Sequence, residues 1–340
     1  MERKNRKMSS RNGINLVIGY TPYHHMFTAR FIDRLIGKTY CFYTAKDNYT
    51  KKQNREIGFK YRNKNFLGSI TLALSVIYFA VFFWYLVTKR FKISVYLPHA
   101  SHFLGNYLYF SKYVSDVYIY EDGILNYYDA KVGAERTGSL KKLLSFFLLM
   151  PCRPYRGHLT GFDERSASGA YLSRPKYAVG CDKIGEIKYV DCLRDDIAVR
   201  KGIILFLDQD ISRLLGPNEF NRYNVMLQEF ITSGDFTAYY KPHHEYNDYR
   251  TWGNCMKSID KKLSCVPAEQ VIEILRPELV ISFFSSALIN IKQAFPSVKC
   301  LALASDFLKI SRNGRITTLS ELFVEADVNV LPFDAKEIII

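Results

Sequence analysis

The sequence contains no CxxC pair. Its seven cysteines (Cys41, Cys152, Cys181, Cys192, Cys255, Cys265 and Cys300) are odd in number and scattered, which argues against a zinc site and against a disulfide framework. Several fall in apolar, strand-like runs, where a free thiol packs as a small hydrophobe. A reducing, cytoplasmic compartment is the expectation. There is no internal repeat and no low-complexity tract, so solenoid and linker classes drop out. The basic N-terminus lacks an apolar core behind it for a signal peptide: Asn15 to Tyr20 is too short and reads as a strand. Residues 1–12 are expected to be a disordered basic tail. No stretch resembles a nucleic-acid-binding module, and the basic residues are spread along the chain instead of clustering on one helix.

The chain has 340 residues, 48% of them hydrophobic and 24% charged, enough for two ordinary α/β domains. A net charge of +14 calls for anionic partners such as nucleotide phosphates, acidic glycans or anionic lipid.

Short apolar, β-branched runs alternate with helical patterns, the mark of βαβ units and parallel sheet. In the first half, strands are expected at Asn15–Tyr20, Thr39–Thr44, Lys92–Leu97 and Asp116–Tyr120, with helices at Thr28–Leu35, Phe66–Thr88, Leu104–Tyr113 and Ser139–Met150. Residues from about 151 to 200 read as turn-rich, a domain junction. Beyond it, strands are expected at Gly202–Leu207, Thr237–Tyr240, Lys262–Val266, Leu279–Phe283 and Lys299–Ala304, with helices at Asn221–Ser233, Ala268–Leu275 and Ala287–Ala294. The expected architecture is α/β: two doubly wound, Rossmann-like domains, residues 13–195 and 196–340, facing a central cleft.

Phe66 to Thr88 carries no charge and is long enough to span a bilayer. A span would put the strands on either side of it on opposite faces of the membrane and split the sheet, so a wholly buried crossover helix is expected, with a membrane-dipping helix and a true span as the alternatives. The basic, amphipathic stretch Leu140–Arg156, with Lys141, Lys142, Arg153 and Arg156 beside Phe146-Phe147-Leu148-Leu149, suits either membrane docking or packing on a sheet.

Three patches at strand ends carry chemistry. Glu121-Asp122-Gly123 follows a strand; one carboxylate could act as general base on a hydroxyl while Gly123 lets the chain turn. The competing reading is an acidic turn that caps a helix. Lys241-Pro242-His243-His244 offers an imidazole and a positive charge for a phosphate leaving group, or simply polar loop residues. Phe284-Ser285-Ser286 precedes a helix, where hydroxyls and amides form an anion cradle or an ordinary N-cap. Tyr23, His24 and His25 after the first strand, and His99, Ser101 and His102 after the third, are candidates to meet an acceptor. Asp208-Gln209-Asp210 mimics a metal-nucleotide DxD motif, but no further acidic cluster accompanies it.

In this order the patches resemble bacterial sialyltransferases that use CMP-sialic acid, the group spanning glycosyltransferase family 52 and the capsule polysialyltransferases. Glu121-Asp122-Gly123, His243-His244 and Ser285-Ser286 are similar to that group's acidic-acidic-Gly, His-Pro and Ser-Ser/Thr motifs. Tyr20-Thr21-Pro22, Leu205–Gln209 and Val266-Pro267-Ala268-Glu269 resemble its first loop, the strand opening its second domain and its Pro-x-Glu segment. His244 stands where the group has Pro. The resemblance implies a GT-B fold and inverting, metal-independent transfer of sialic acid to a glycan of lipooligosaccharide or capsule, with no cofactor. Asp122 would be the base and His243 the partner of the leaving phosphate. Ser285, Ser286, Glu269, Lys241 and Gly123 would bind the donor, and Glu121, Tyr23, His24, His25 and His102 would lie on the acceptor side. It further implies a cytoplasmic enzyme, peripheral at the inner face of the bacterial inner membrane. The alternatives are another CMP-sugar such as that of Kdo, a metal-dependent nucleotide-sugar transferase, or a non-catalytic basic protein binding membrane or nucleic acid.

Overall fold

The computed structural model describes residues 13–43, 56–58, 66–132, 145–153, 157–161, 167–180, 184–194, 197–209, 211, 215–243, 255–264 and 266–338. The expected tail at residues 1–12, the first part of the expected helix at 139–150, Lys141, Lys142, Arg156, Asp210 and His244 lie outside them. The chain divides into two compact units, Met1–Asp191 and Cys192–Ile340.

Unit 1 is built on β1 (Gly13–Gly19), β2 (Lys38–Tyr43), β3 (Glu56–Gly58), β4 (Lys92–Leu97), β5 (Asp116–Tyr120), β8 (Ala167–Leu172) and β9 (Ile184–Tyr189). They form one sheet in the order β3-β2-β1-β4-β5-β8-β9, with every pair parallel. The short strands β6 (Lys131–Val132) and β7 (Gly157–His158) pair with each other. Helices α1 (Pro22–Thr28), α2 (Phe66–Thr88) and α3 (Phe103–Phe110) supply connections.

Side-chain alternation on the strands divides the core of unit 1 in two. Leu16, Ile18, Ile93, Val95, Leu97, Val117 and Ile119 join α2 and α3 in one layer, where Phe79, Phe83, Tyr107 and Tyr109 of the helices pack on them. The intervening Tyr96, Tyr118 and Tyr120 meet Phe27, Phe31 and Tyr171 in an aromatic layer, with ring centroids 4.4 Å apart for Phe31–Tyr171 and 4.8 Å for Tyr96–Tyr118.

Unit 2 contains β10 (Arg200–Leu207), β11 (Thr237–Lys241), β12 (Met256–Ser258), β13 (Pro277–Ser282), β14 (Lys299–Leu303) and β17 (Asn329–Leu331). Their order is β12-β11-β10-β13-β14-β17, again all parallel. A hairpin, β15 (Lys309–Arg312) and β16 (Arg315–Thr318), stands apart from the sheet. The helices are α4 (Pro217–Ser233), α5 (Lys261–Ser264), α6 (Ala268–Leu275), α7 (Ala287–Ala294) and α8 (Leu319–Val324).

Four expectations need correction. The helix expected at Thr28–Leu35 is α1, one segment earlier, followed by a 3-10 turn at Ile32–Arg34; Thr21 caps it and Pro22 starts it, the usual place for proline. Lys262–Val266 is not a strand: Lys261–Ser264 is helical, and β12 takes the place beside β11. The stretch read as turns from 151 to 200 holds β8 and β9. Its Gly169 serves strand packing, since a Cβ there would sit 2.6 Å from the Glu186 carbonyl oxygen. Finally, α2 is not wholly buried. Val76, Phe79, Ala80, Phe83 and Leu86 enter the core layer shared with the strands, but Leu74, Tyr78, Val81 and Tyr85 on its opposite side are exposed. Both flanking strands, β3 and β4, belong to one sheet. Among the described residues no helix is long and apolar enough to cross a membrane.

Candidate active site

In each sheet the strand order reverses direction at one point, between β1 and β4 in unit 1 and between β10 and β13 in unit 2. Open α/β sheets bind ligands just beyond the C-terminal ends of strands at such points. Several of the residues singled out by sequence lie at or just beyond these strand ends.

In unit 1, β1 leads into Tyr20 and α1, β4 into His99, and β5 into Glu121 and Asp122. Thr21 opens α1 with a reciprocal cap in which the third helical residue is His24 instead of the usual Glu or Gln. The Thr21 hydroxyl accepts the His24 N–H at 3.3 Å. His24 Nδ1 in turn accepts the N–H groups of Tyr20 and Thr21 at 3.0 and 3.2 Å. With Nδ1 occupied as an acceptor, the ring proton is at Nε2, which donates to Asp122 Oδ1 at 2.6 Å. The other oxygen, Oδ2, faces His99 Nε2 at 3.9 Å. The Asp122 N–H donates to Asn126 Oδ1 at 2.7 Å, and Gly123 (φ 61°) takes the left-handed conformation that turns the chain out of β5.

Burial acts to raise the Asp122 carboxyl, but the field and hydrogen bond of His24, with His99 behind it, outweigh this and hold it below the usual 3.8. His99 is lowered too, but by the opposite cause: burial pushes it down to about 4, against the pull of Asp122. Ser101 Oγ lies 2.8 Å from its Nδ1. Tyr20 stacks on His102 with centroids 4.1 Å apart and packs on His99 at 4.8 Å. Gly105 permits this approach, because a Cβ there would meet the His99 carbonyl oxygen at 2.7 Å and the Tyr20 hydroxyl at 2.5 Å.

Glu121 points elsewhere. Its Oε1 accepts from Tyr23 Oη at 2.9 Å; its Oε2 accepts from Tyr127 Oη at 2.5 Å and from Ser173 N and Oγ at 2.7 and 2.6 Å. Burial raises its carboxyl, and the Ser173, Tyr127 and Tyr23 hydrogen bonds only partly offset this. Glu121 and His24, both 1% exposed, are therefore committed to bonds within the protein. His25 is also buried, edge-on to Tyr43 at 4.6 Å.

In unit 2 the strand ends carry amide, hydroxyl and ammonium groups. Gln209, just past β10, accepts the Phe284 N–H on Oε1 at 2.7 Å, which ties the loop after β13 to the end of β10. Ser285 Oγ accepts the Ala287 N–H at 3.3 Å; Ser286, the N-cap of α7, makes no side-chain bond to the helix end. Lys241 is buried and donates to the Ser264 carbonyl at 3.0 Å. Glu269, in the first turn of α6, accepts from Asn290 Nδ2 at 3.0 Å. Burial raises its carboxyl; Asn290, Arg194 and Lys241 pull it partway back. Asp208 is taken by the Tyr240 hydroxyl at 2.6 Å. His243 lies partly buried just beyond β11. Among the described residues no group of three or more His, Cys, Asp or Glu side chains is placed to hold a metal ion.

The sequence named His24 and His99 without seeing that both converge on Asp122. The Thr21-Pro-Tyr-His24 spacing was the available signal, since it reads as a capping box. Tyr127, Ser173, Gln209 and Asn290 left no comparable trace, because sheet order and helix packing alone bring them to their carboxylates and amides.

No protein-family model matches the chain, and no curated protein matches it. Solved structures do. An α/β-galactoside α-2,3-sialyltransferase from Photobacterium phosphoreum is 11% identical, with 94% of this chain and 98% of that one covered and a TM-score of 0.50. A UDP-GlcNAc 2-epimerase from Neisseria meningitidis bound to UDP-GlcNAc is 12% identical over 94% and 87% of the two chains, with a TM-score of 0.49. The UDP-GlcNAc 2-epimerase of Methanocaldococcus jannaschii is 9% identical over 95% and 89%, with a TM-score of 0.48. The likeness is one of fold: the two parallel-sheet α/β units are those of the GT-B architecture.

Proposed function

We propose that the protein is an inverting, metal-independent sialyltransferase that moves sialic acid from CMP-sialic acid to a glycan hydroxyl, on lipooligosaccharide or capsular polysaccharide. The observation that carries this reading is the Asp122–His24 pair. It is a carboxylate held below its usual range and locked in one orientation, at the strand end where the resemblance assigns the base. Unit 1 would serve the acceptor and unit 2 the CMP-sugar.

In this reading Asp122 Oδ2, the oxygen not bonded to His24, takes the proton of the acceptor hydroxyl as that oxygen attacks the anomeric carbon. The bond from this carbon to the CMP phosphate oxygen breaks, and its electron pair leaves with the phosphate. His243 stabilises or protonates that oxygen, with Ser285 and Ser286 as further donors at the start of α7. Lys241 contributes positive potential from its bonded position, and Glu269 receives the ribose. Charge developing on the sugar ring faces a preorganised carboxylate, which needs no rearrangement at the moment of reaction. CMP carries a single phosphate, so the need for a bridging cation is smaller than with a nucleoside diphosphate. The like-folded Photobacterium phosphoreum protein is a galactoside sialyltransferase, so the shared fold is compatible with this chemistry.

The test is CMP release from CMP-sialic acid with chelator present and galactose- or sialic-acid-terminated acceptors supplied. Wild type is expected to turn over, and Asp122→Ala and His243→Ala, still folded, to lose roughly 10²–10⁴-fold. Turnover that requires a divalent cation, or that is absent from wild type with every acceptor, overturns the reading.

A further inference from the structure

The outer side of α2 is an apolar stripe that no described residue layers over. Leu74, Tyr78, Val81 and Tyr85 recur at helical spacing and are 61%, 53%, 65% and 53% exposed, directly opposite the face that enters the core. The stripe continues onto a second element. Trp84, on its flank, donates Nε1–H to the Leu148 carbonyl at 3.0 Å and packs edge-on to Tyr113 at 5.3 Å. The turn around Leu148 exposes Phe146, Phe147 and Leu149 at 73%, 71% and 68%. Single exposed apolar residues need no explanation, but a contiguous patch on two elements marks an interaction surface.

Charge identifies the partner. Lys89 follows one turn after Tyr85, its Nζ 6.0 Å from that ring, and Lys112 Nζ lies 5.3 Å from the Tyr113 ring; Arg90 sits in the turn just past the helix. No Asp or Glu occurs between residues 57 and 115 or between 136 and 162, so the elements forming the patch bring basic side chains and no acidic one of their own. Large apolar groups, Tyr and Trp at the margin and Lys or Arg at the rim are what a helix needs to lie in the headgroup layer of an anionic bilayer. A second copy fits poorly, since a two-fold contact through this patch would bring its basic rim against itself.

We infer that the outer face of α2, with the Phe146–Leu149 turn and the basic residues Lys89, Arg90 and Lys112, is a docking surface for an anionic lipid bilayer. The inference goes beyond the donor and reaction proposed above and does not depend on them. Docked this way, α2 lies along the membrane plane with its core-facing side turned toward the sheet.

The test uses the full chain and two vesicle populations, phosphatidylethanolamine with phosphatidylglycerol, and phosphatidylcholine alone. Wild type is expected to co-sediment with the first and weakly with the second. Val81→Asp combined with Tyr85→Asp should abolish binding, and Lys89→Gln and Lys112→Gln should each weaken it about fivefold, in a salt-sensitive way. Trp84 fluorescence, read in a Trp252→Phe background, should be quenched by brominated acyl chains. Melting curves confirm that the variants are folded, and turnover with a soluble acceptor, unchanged in them, separates this result from failure of the enzymatic reading. Absence of binding to anionic vesicles, or equal binding by wild type and the Val81/Tyr85 variant, overturns the inference. So does a wild-type dimer in sedimentation velocity that this variant dissociates while vesicle binding persists.

Discussion

At the C-terminal edge of unit 1 a carboxylate is met by two imidazoles and surrounded by phenols. At the corresponding edge of unit 2 the strands end in an ammonium, an imidazole, two serine hydroxyls and a helix start. Both edges arise from the same topology, a parallel sheet whose order reverses at its centre, yet they are furnished for opposite tasks. Unit 1 spends its hydrogen bonds on fixing acids: His24 holds Asp122, while Tyr23, Tyr127 and Ser173 hold Glu121. Unit 2 fixes its loops instead, through Gln209 to the Phe284 amide and Lys241 to the Ser264 carbonyl, and sets Ser286 at the N-terminus of α7. In the proposed reading Asp122 would be the proton acceptor and the helix start at Ser285 and Ser286 the anion site of a glycosyl transfer from a nucleotide.

The sharpest way to break this contrast is at His24. Replacement by Ala removes both the helix cap and the bond to Asp122, and turnover is expected to fall about 10²-fold, the scale of a misplaced catalytic group, with a lower melting temperature. Replacement by Gln restores the usual capping-box residue without the Nε2–H. The account expects His24→Gln to recover stability but not turnover; recovery of both would reduce His24 to a cap.

On the other edge, Ser285→Ala and Ser286→Ala should each raise the donor KM by about tenfold, the cost of one hydrogen bond to a charged group, with kcat less affected. A loss confined to kcat would move these serines from donor binding to the chemical step.

Glu121→Gln sharpens the distinction between the two neighbouring carboxylates. A neutral amide cannot accept from all four donors, and the variant should lose ~1–3 kcal/mol in urea unfolding while the folded fraction keeps most of its turnover. Equal loss of turnover in Glu121→Gln and at Asp122 would erase the distinction.

The smallest effect concerns pH. His99 titrates at about 4 in the folded chain against an ordinary 6.5, so the unfolded chain binds its proton first as pH falls. The stability His99 contributes is therefore complete above pH 6.5 and is lost on the way down to about 4. His99→Gln should flatten the stability–pH curve in that window. Asp122 acts at lower pH: its stabilising share persists above the usual 3.8 and is lost as pH falls through its lowered value.

Much of the scaffold was legible. The β4 and β5 strands and the α6 and α7 helices lie where alternation and apolar periodicity put them, because each is governed by local pattern and bounded by Gly, Pro or Ser. What escaped was fixed by non-local contacts. β8 and β9 carry glycines that read as turns, and only the neighbouring strand explains why Gly169 has no side chain. Lys262–Val266 has an apolar look but is preceded by Asp260, which accepts the Lys262 N–H and starts a helical turn. At the site, the motif residues stood out individually, whereas the orientation of Asp122 depends on a cap three strands' width of sequence away. The exposed side of α2 was hidden by a composition that is apolar all round.

The most direct test of the central claim is to measure CMP affinity and single-turnover transfer side by side in wild type and Asp122→Asn. The account predicts an unchanged dissociation constant for CMP, because the nucleotide belongs to unit 2, together with a transfer rate lower by about 10³-fold. A variant that transfers at the wild-type rate, or one that loses CMP binding in proportion to turnover, would contradict it.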